Sequence, residues 1–461
     1  MSEPHLPAPR GAVEDPPAAH VPPAAEARGL LQLAIPIVVS LAASTLIGVV
    51  DTIMVAPLGT DALAAVSLTA SVHVVVYAAL YGLVSMAGVL AARAHGGDEP
   101  AALTRALWAG LALGGLGGTL GAGLMIVARG ALPALGQPQA VLDILGPYWT
   151  AMSLVLLPFA LFYALKGVYE AVDRPWVGVH LAFVGVALNV PANALLIHGI
   201  GEWPGLGLLG AGLASLLSQT AGLGLLVLHW RRARSMAWLR TGVRARWADL
   251  AEQARDGLPL AFGYAGEGAA FAAAGLMVGW FGAEALAANQ IVGAVSGVLY
   301  MVPLGMAAAV SVRVGQAVGA RRPDRARTVG LVAIGLVVAW MGAVTVLLVL
   351  LGGTIAEALA QEAAVAELAT VMFIVFAGMQ VFDGVQATAL GALRGLLDTR
   401  WPVVVTLTAY WIVALPAAYV LSGPLGIGPN GVWIGYGTGL VIAAVALCVR
   451  FVRRPFGRIA S

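Results

Sequence analysis

Cysteine is almost absent from this chain: Cys448 is the single one in 461 residues, which excludes an intrachain disulfide and a thiolate metal cluster. Charge is scarce as well. Only 10% of the residues are Asp, Glu, Lys or Arg, against about 25% in an ordinary soluble domain. Histidine stands at positions 5, 20, 73, 95, 180, 198 and 229, with no HxxxH or HExxH spacing to suggest a metal. No nucleophile–base pair or metal pattern lies inside an apolar run, so an enzyme is not expected. What remains is apolar: 60% of the residues are hydrophobic and the mean hydropathy is +0.90. No soluble fold could hide that much apolar surface, and the chain reads as an all-α integral membrane protein.

A spanning helix needs ~17–25 mostly apolar residues. Twelve stretches satisfy this, near 30–56, 65–91, 104–127, 141–163, 176–198, 206–229, 257–280, 285–311, 328–351, 365–389, 402–421 and 430–451. Residues 1–29, rich in Pro and Ala, cannot bury a core and read as a disordered tail, not as a signal peptide. Twenty-four of the twenty-five Lys and Arg fall on one face of this arrangement, with Arg129 the exception. Basic residues stay on the cytoplasmic side, so both termini are expected there.

The Arg-rich segment 230–256 separates two groups of six spans. The expected organisation is a 1–29 tail, a first lobe at 30–229, a basic linker at 230–256, a second lobe at 257–451 and a 452–461 tail. The halves resemble each other. LGTDALAAV at 58–66 matches FGAEALAAN at 281–289, and Gly96 and Tyr77 match Gly319 and Tyr300, all at an offset of 223. Further on, LKGVYEAVDRPW at 165–176 echoes LRGLLDTRW at 393–401, and Pro191 pairs with Pro416. Six spans per half is even, so both halves enter the membrane in the same direction. The expected fold is therefore twelve transmembrane helices in two pseudo-symmetric six-helix lobes, a parallel repeat used by many secondary transporters.

Against this background Asp51, Glu267 and Asp383 stand out as carboxylates inside apolar spans. A charge at bilayer depth costs at least ~2.5–3.5 kcal/mol on insertion scales, so each marks a candidate site. Glu267 and Asp383 share a depth ~15 Å from the basic face and belong to the second half. Low dielectric and a neighbouring carboxylate both disfavour the ionised form, which suits a group that takes up and releases protons. Deprotonated, the pair is an oxygen cage for a small hard cation such as Na⁺. The repeat does not generate these acids, since Asp51 aligns with Ala274 and Glu267 with Ser44. Polar neighbours at helical spacing support them: Gln380 and Gln386 flank Asp383, and Tyr264 precedes Glu267 by three. Asn189 and Asn193 lie i, i+4 around Pro191, while His73, Tyr77 and Tyr81 stripe one face of the second span. Gln290 and Tyr300 are further candidates for a cavity in the second lobe. The glycines of GGLGGTLGAG at 114–123 read as close helix packing. Trp149, Trp176, Trp230, Trp280 and Trp401 read as interfacial anchors.

The segments LAIP…VDTIMVAPLGTDALAAVSL, GLPLAFGYAGEGAAF…LAANQ…VPLGMAAAVSVRVGQAVGA and VFDGVQATALGALRG resemble the multidrug and toxic compound extrusion (MATE) family, in its NorM-like branch. The resemblance covers about residues 30–450. It implies two lobes that rock around a central cavity and import Na⁺ or H⁺ to export amphipathic, often cationic compounds. By position it implies that Asp51 is the first-lobe acid, that Glu267 and Asp383 are the second-lobe cation pair, and that Asn189 is a first-lobe polar residue. Asn193 stands where the damage-inducible branch has an Asp, Asn289 where many relatives have His, and Met379 where Tyr is frequent. The resulting expectation is a monomeric antiporter of a bacterial inner membrane, in contact with lipid and small organic molecules but not nucleic acid, with no cofactor beyond its coupling ion. A lipid-linked precursor flippase, or an exporter of one endogenous metabolite, is the alternative. A flippase needs a strongly cationic lumen, and almost no basic residue falls within the spans drawn above.

Overall fold

The computed structural model describes residues 21–135, 138–234, 236–237, 243–454 and 456. Within them, twelve helices are long and apolar enough to cross a membrane. They are α1 Pro23–Val55, α2 Thr60–Gly96, α3 Pro100–Ala128, α4 Gln139–Ala171, α5 Pro175–His198 and α6 Leu208–Arg232 in the first half. The second half holds α7 Trp247–Val278, α8 Ala283–Gly319, α9 Pro323–Leu359, α10 Ala363–Gly395, α11 Arg400–Ser422 and α12 Pro429–Arg453. No strand occurs among the described residues.

Several expected boundaries move. The first part of the 1–29 tail, residues 1–20, lies outside the described residues, as do 238–242 of the linker and 457–461 of the C-terminal tail. The remainder of the tail is not disordered from 23 onward: α1 begins at Pro23, with proline in its first turn and Glu26 just behind it. Both features favour a helix start, because proline loses no needed N–H there and an acid complements the positive end of the dipole. Likewise α7 begins inside the expected linker, at Trp247, with Asp249 accepting a hydrogen bond from the Arg246 backbone N–H at 2.7 Å. α4 and α10 run beyond the apolar windows 141–163 and 365–389, to Ala171 and Gly395. That extension brings Lys166, Glu170 and Arg394 into helices.

The two halves repeat in backbone detail. α2 and α8 are both 37 residues long and each follows a glycine in the left-handed region, Gly59 at φ 105° and Gly282 at φ 102°. Their exits match as well, through Asp98 at φ 54° and Arg321 at φ 56°. A side chain with a Cβ is strained at such angles, so the glycines fix where each helix can begin.

The lobes are joined at the basic end of the molecule. α2 packs on α7 and α8, and α1 on α8 and α9. At this seam Gly96 lies against the Gln316 backbone and Gly319 against the Arg93 backbone, so that no side chain fits at either. One level deeper, Gly82 meets Leu260 and Ala261 while Gly305 meets Ala34 and Val38. Both glycine pairs are related by the offset of 223. Two ion pairs across the seam have acids at the same offset: Glu26 of α1 holds Arg325 of α9 at 2.6 Å, and Asp249 of α7 holds Arg105 of α3 at 3.5 Å. Arg313 adds a 3.0 Å pair with Asp173.

Inside the first lobe the Gly-rich run behaves as expected, with Gly114 against Ala160 and Gly118 against Leu156 and Leu157 of α4. Two tryptophans do not. Trp149 is fully buried and donates to the Met125 carbonyl at 2.6 Å, and Trp230 is also buried, so neither is an interfacial anchor. The span-end argument sees only depth along the helix, whereas rotation about its axis turned these two inward. Trp176, Trp280 and Trp401 are exposed.

Candidate functional site

Each lobe carries its own acid site, and they are built differently. In the first lobe Asp51 sits near the C-terminal end of α1 and is buried. Asn193 Nδ2 of α5 donates to its Oδ1 at 2.6 Å, and Ser215 Oγ of α6 donates to its Oδ2 at 2.6 Å. The same Asn193 amide donates to Asn189 Oδ1 at 3.0 Å, one helical turn earlier. Pro191 lies between these asparagines; lacking an N–H, it opens the helix ladder where they project. Both asparagines are completely buried, and Asn193 Oδ1 and Asn189 Nδ2 are left without partners. The phenols of Tyr77 and Tyr148 lie within electrostatic reach of Asp51, and Tyr77 stacks on His73 with centroids 4.2 Å apart. His73 is buried with neither ring nitrogen hydrogen-bonded. Both oxygens of Asp51 therefore accept charge-assisted bonds, each stronger than a neutral one.

The second-lobe site is open by comparison. Glu267 of α7 and Asp383 of α10 are half-buried and within electrostatic reach of each other. The sole hydrogen bond to either among the described residues comes from Tyr410 Oη, 3.4 Å from Glu267 Oε1. Tyr300, Tyr410 and Tyr436 all lie within reach of both carboxylates. Tyr410 stacks on Tyr436 with centroids 5.5 Å apart and planes 2° from parallel.

Tyr410 reaches the site because α11 is not a plain α-helix. Its residues Ala409–Ala414 form a π-helical turn just ahead of Pro416. Proline cannot donate to the carbonyl four residues back, and the wider turn absorbs the mismatch while rotating the residues before it. Trp411 anchors the turn on α7, its Nε1 donating to the Gly266 carbonyl at 3.0 Å. An aromatic wall continues the site: Trp433 packs on Phe376 and Phe271, and its Nε1 donates to Asn289 Oδ1 at 2.9 Å.

The structure therefore brings Asp51, Asn189, Asn193 and Tyr77 together in one lobe, and Glu267, Asp383 and Tyr300 in the other. Gln380 is buried one turn from Asp383 with its Nε2 unpartnered. Gln290 is exposed and makes no hydrogen bond among the described residues, so the geometry gives it no part in the acid site. Tyr264 turns away from Glu267: its hydroxyl accepts from Arg394 Nη1 at 3.0 Å. Ser215, Tyr148, Tyr410 and Tyr436 are additions that spacing did not reveal. Among the described residues no group of three or more His, Cys, Asp or Glu could hold a metal. A hard cation in the second lobe would take the two carboxylates together with neutral oxygens such as that of Tyr410.

Comparison with known proteins agrees with this architecture. The family model described as MatE matches residues 36–195 and again 259–420, segments that begin 223 residues apart, the offset seen in the repeat. The chain is 33% identical over 443 residues to the probable multidrug resistance protein NorM of Deinococcus radiodurans, covering 95% of this chain and 98% of that one. It is 32% identical over 452 residues to the multidrug resistance protein NorM of Burkholderia vietnamiensis, covering 93% and 94%. Among solved structures, the eukaryotic MATE transporter AtDTX14 superposes with a TM-score of 0.86 at 21% identity, covering 95% of this chain and 98% of that one. An outward-facing multidrug resistance MATE transporter does so at 0.85 and 19%, covering 95% and 97%.

Proposed function

Because the chain belongs to the MatE family of multidrug-efflux transporters, we propose that it is a cation-coupled antiporter that exports amphipathic or cationic compounds in exchange for Na⁺ or H⁺. The observation that carries this reading is the pair Glu267 and Asp383: two half-buried carboxylates within reach of each other, with one 3.4 Å hydrogen bond between them and their surroundings. Two such groups repel when both are ionised, and a proton or Na⁺ relieves the repulsion. A cationic drug relieves it equally well. Ion and drug then exclude one another, which is the differential binding that exchange requires.

The seam supports alternating access. The reciprocal glycine contacts between the lobes lie toward the basic end, and in this reading the two six-helix lobes rock about that seam. With the Arg-rich loops in the cytoplasm, the seam lies at the cytoplasmic end of the molecule. In this reading both termini are cytoplasmic, the membrane is a bacterial inner membrane, and one chain suffices for transport. One charge moving down a ~100 mV potential supplies ~2.3 kcal/mol, enough for tens-fold accumulation.

The test is dye efflux from proteoliposomes holding the purified protein, with a Na⁺ gradient and a pH gradient imposed separately. Export driven by one gradient and not the other identifies the coupling ion. Export driven by neither, under conditions where the dye is bound, would remove the antiport reading.

A further inference from the structure

Three charged side chains lie buried at the seam, away from both acid sites: Lys166 is 4% exposed, Glu170 8% and Arg394 3%. Lys166 and Arg394 are repeat partners, the second residues of LKG at 165–167 and LRG at 393–395. Each is followed by a glycine that admits a neighbouring helix: Gly167 lies against Gly88 of α2, and Gly395 against Ser311 and Val314 of α8. Both cations and Glu170 line one small cavity of about 40 Å³ between the lobes, walled by α1, α2 and α4 on one side and by α8 and α10 on the other.

Lys166 Nζ donates to Glu170 Oε1 at 2.5 Å, one turn along α4. Arg394 donates within its own lobe to Ser311 Oγ at 3.1 Å, Tyr264 Oη at 3.0 Å and the Ala307 carbonyl at 3.3 Å, and it also reaches the Tyr81 hydroxyl of α2 across the seam. Its charge faces Glu170 across the cavity. Two cations from opposite lobes thus approach one carboxylate. Without the carboxylate, closing the seam would press like charges together in low dielectric.

We propose that Lys166, Glu170 and Arg394 form a charge-counted gate, in which Glu170 permits the lobes to close at the basic end. These are positioning residues: they bind neither coupling ion nor drug and act through the equilibrium between lobe arrangements. The inference rests on the alternating-access reading above.

The experiment measures the lobe separation directly. In a Cys448→Ala background, Glu99→Cys and Arg322→Cys place nitroxide labels on exposed, repeat-related turns of the two lobes, and pulsed dipolar spectroscopy reads their distance in proteoliposomes. The gate carries a net charge of +1 in the parent, +2 in Glu170→Gln, 0 in Lys166→Met and +1 again in the double variant. Glu170→Gln should raise the ratio of wide to narrow separations at least ~10-fold, the scale set by an uncompensated buried charge. Lys166→Met should stay as closed as the parent, and the double variant should return to the parent distribution. Glu170→Gln/Arg394→Met reaches +1 by the other cation and should match it, even if Glu170→Gln alone cannot be purified. Equal loosening by every variant would reduce the cluster to ordinary packing, and no shift in Glu170→Gln would overturn the gate outright. A parent that shows one distance with every ion and drug defeats alternating access, while the ordering by charge is still read on the variants.

Discussion

The two lobes share a seam and differ in their acids. At the seam several residues have their counterpart 223 residues away: Gly96 with Gly319, Gly82 with Gly305, and Glu26 with Asp249. Inside the lobes that symmetry ends. Asp51 has both oxygens hydrogen-bonded at 2.6 Å, whereas Glu267 and Asp383 share one contact of 3.4 Å. The contrast separates two tasks. In the function proposed above, the seam is the hinge, where both sides present similar surfaces, and the second-lobe acids are the ion site, where charge with few protein partners is left free to bind. The second lobe holds two carboxylates with one protein hydrogen bond between them among the described residues, and the first a carboxylate that accepts one at each oxygen.

The largest effect expected from breaking this contrast falls on the second lobe. Glu267→Gln or Asp383→Asn should reduce fluorescent-dye accumulation driven by export ~5–150-fold with the protein still in the membrane. Parent-level export from both single variants would remove these acids from the mechanism. The seam should respond symmetrically instead. Gly96→Val and Gly319→Val each drive a side chain into backbone, at about 1–3 kcal/mol apiece, and thermal unfolding in detergent should fall by similar amounts for both. A shift confined to one of them would show that the seam is less symmetric than its geometry.

Asp51→Asn is expected to be milder, about tenfold or less in export rate, because an amide keeps one of two charge-assisted bonds in weakened form. An unchanged rate would make Asp51 structural. The smallest effect belongs to Tyr410→Phe, about 2–3-fold in the ion concentration for half-maximal efflux, since a 3.4 Å bond is weak. A loss as large as that of Asp383→Asn would instead place the Tyr410 hydroxyl among the essential ligands.

Much of the site was legible because charge in an apolar span is rare and costly. Asp51, Glu267 and Asp383 were found on that ground alone, and the asparagine pair from its i, i+4 spacing around a proline. Ser215 was not, since a lone serine in an apolar helix carries no positional signal. Nor was Tyr410, whose direction depends on a π-helical turn that shifts every residue before Pro416. Lys166, Glu170 and Arg394 fall outside the apolar windows, which end at 163 and 389, while the helices continue into the seam. Gln290, a polar residue at a plausible depth, is exposed and makes no hydrogen bond among the described residues, so spacing alone did not tie it to the acids.

Hydropathy, the sidedness of arginine and an internal repeat are properties of short segments. Twelve helices, two halves and three intramembrane acids therefore follow from the order of residues alone. Which polar groups meet depends on how each helix is rotated and how far its neighbours approach, and packing of the whole decides both. That is why Asp51 accepts a hydrogen bond at each oxygen while Glu267 and Asp383 have one between them among the described residues, and why two repeat-related cations face a single carboxylate where the lobes meet.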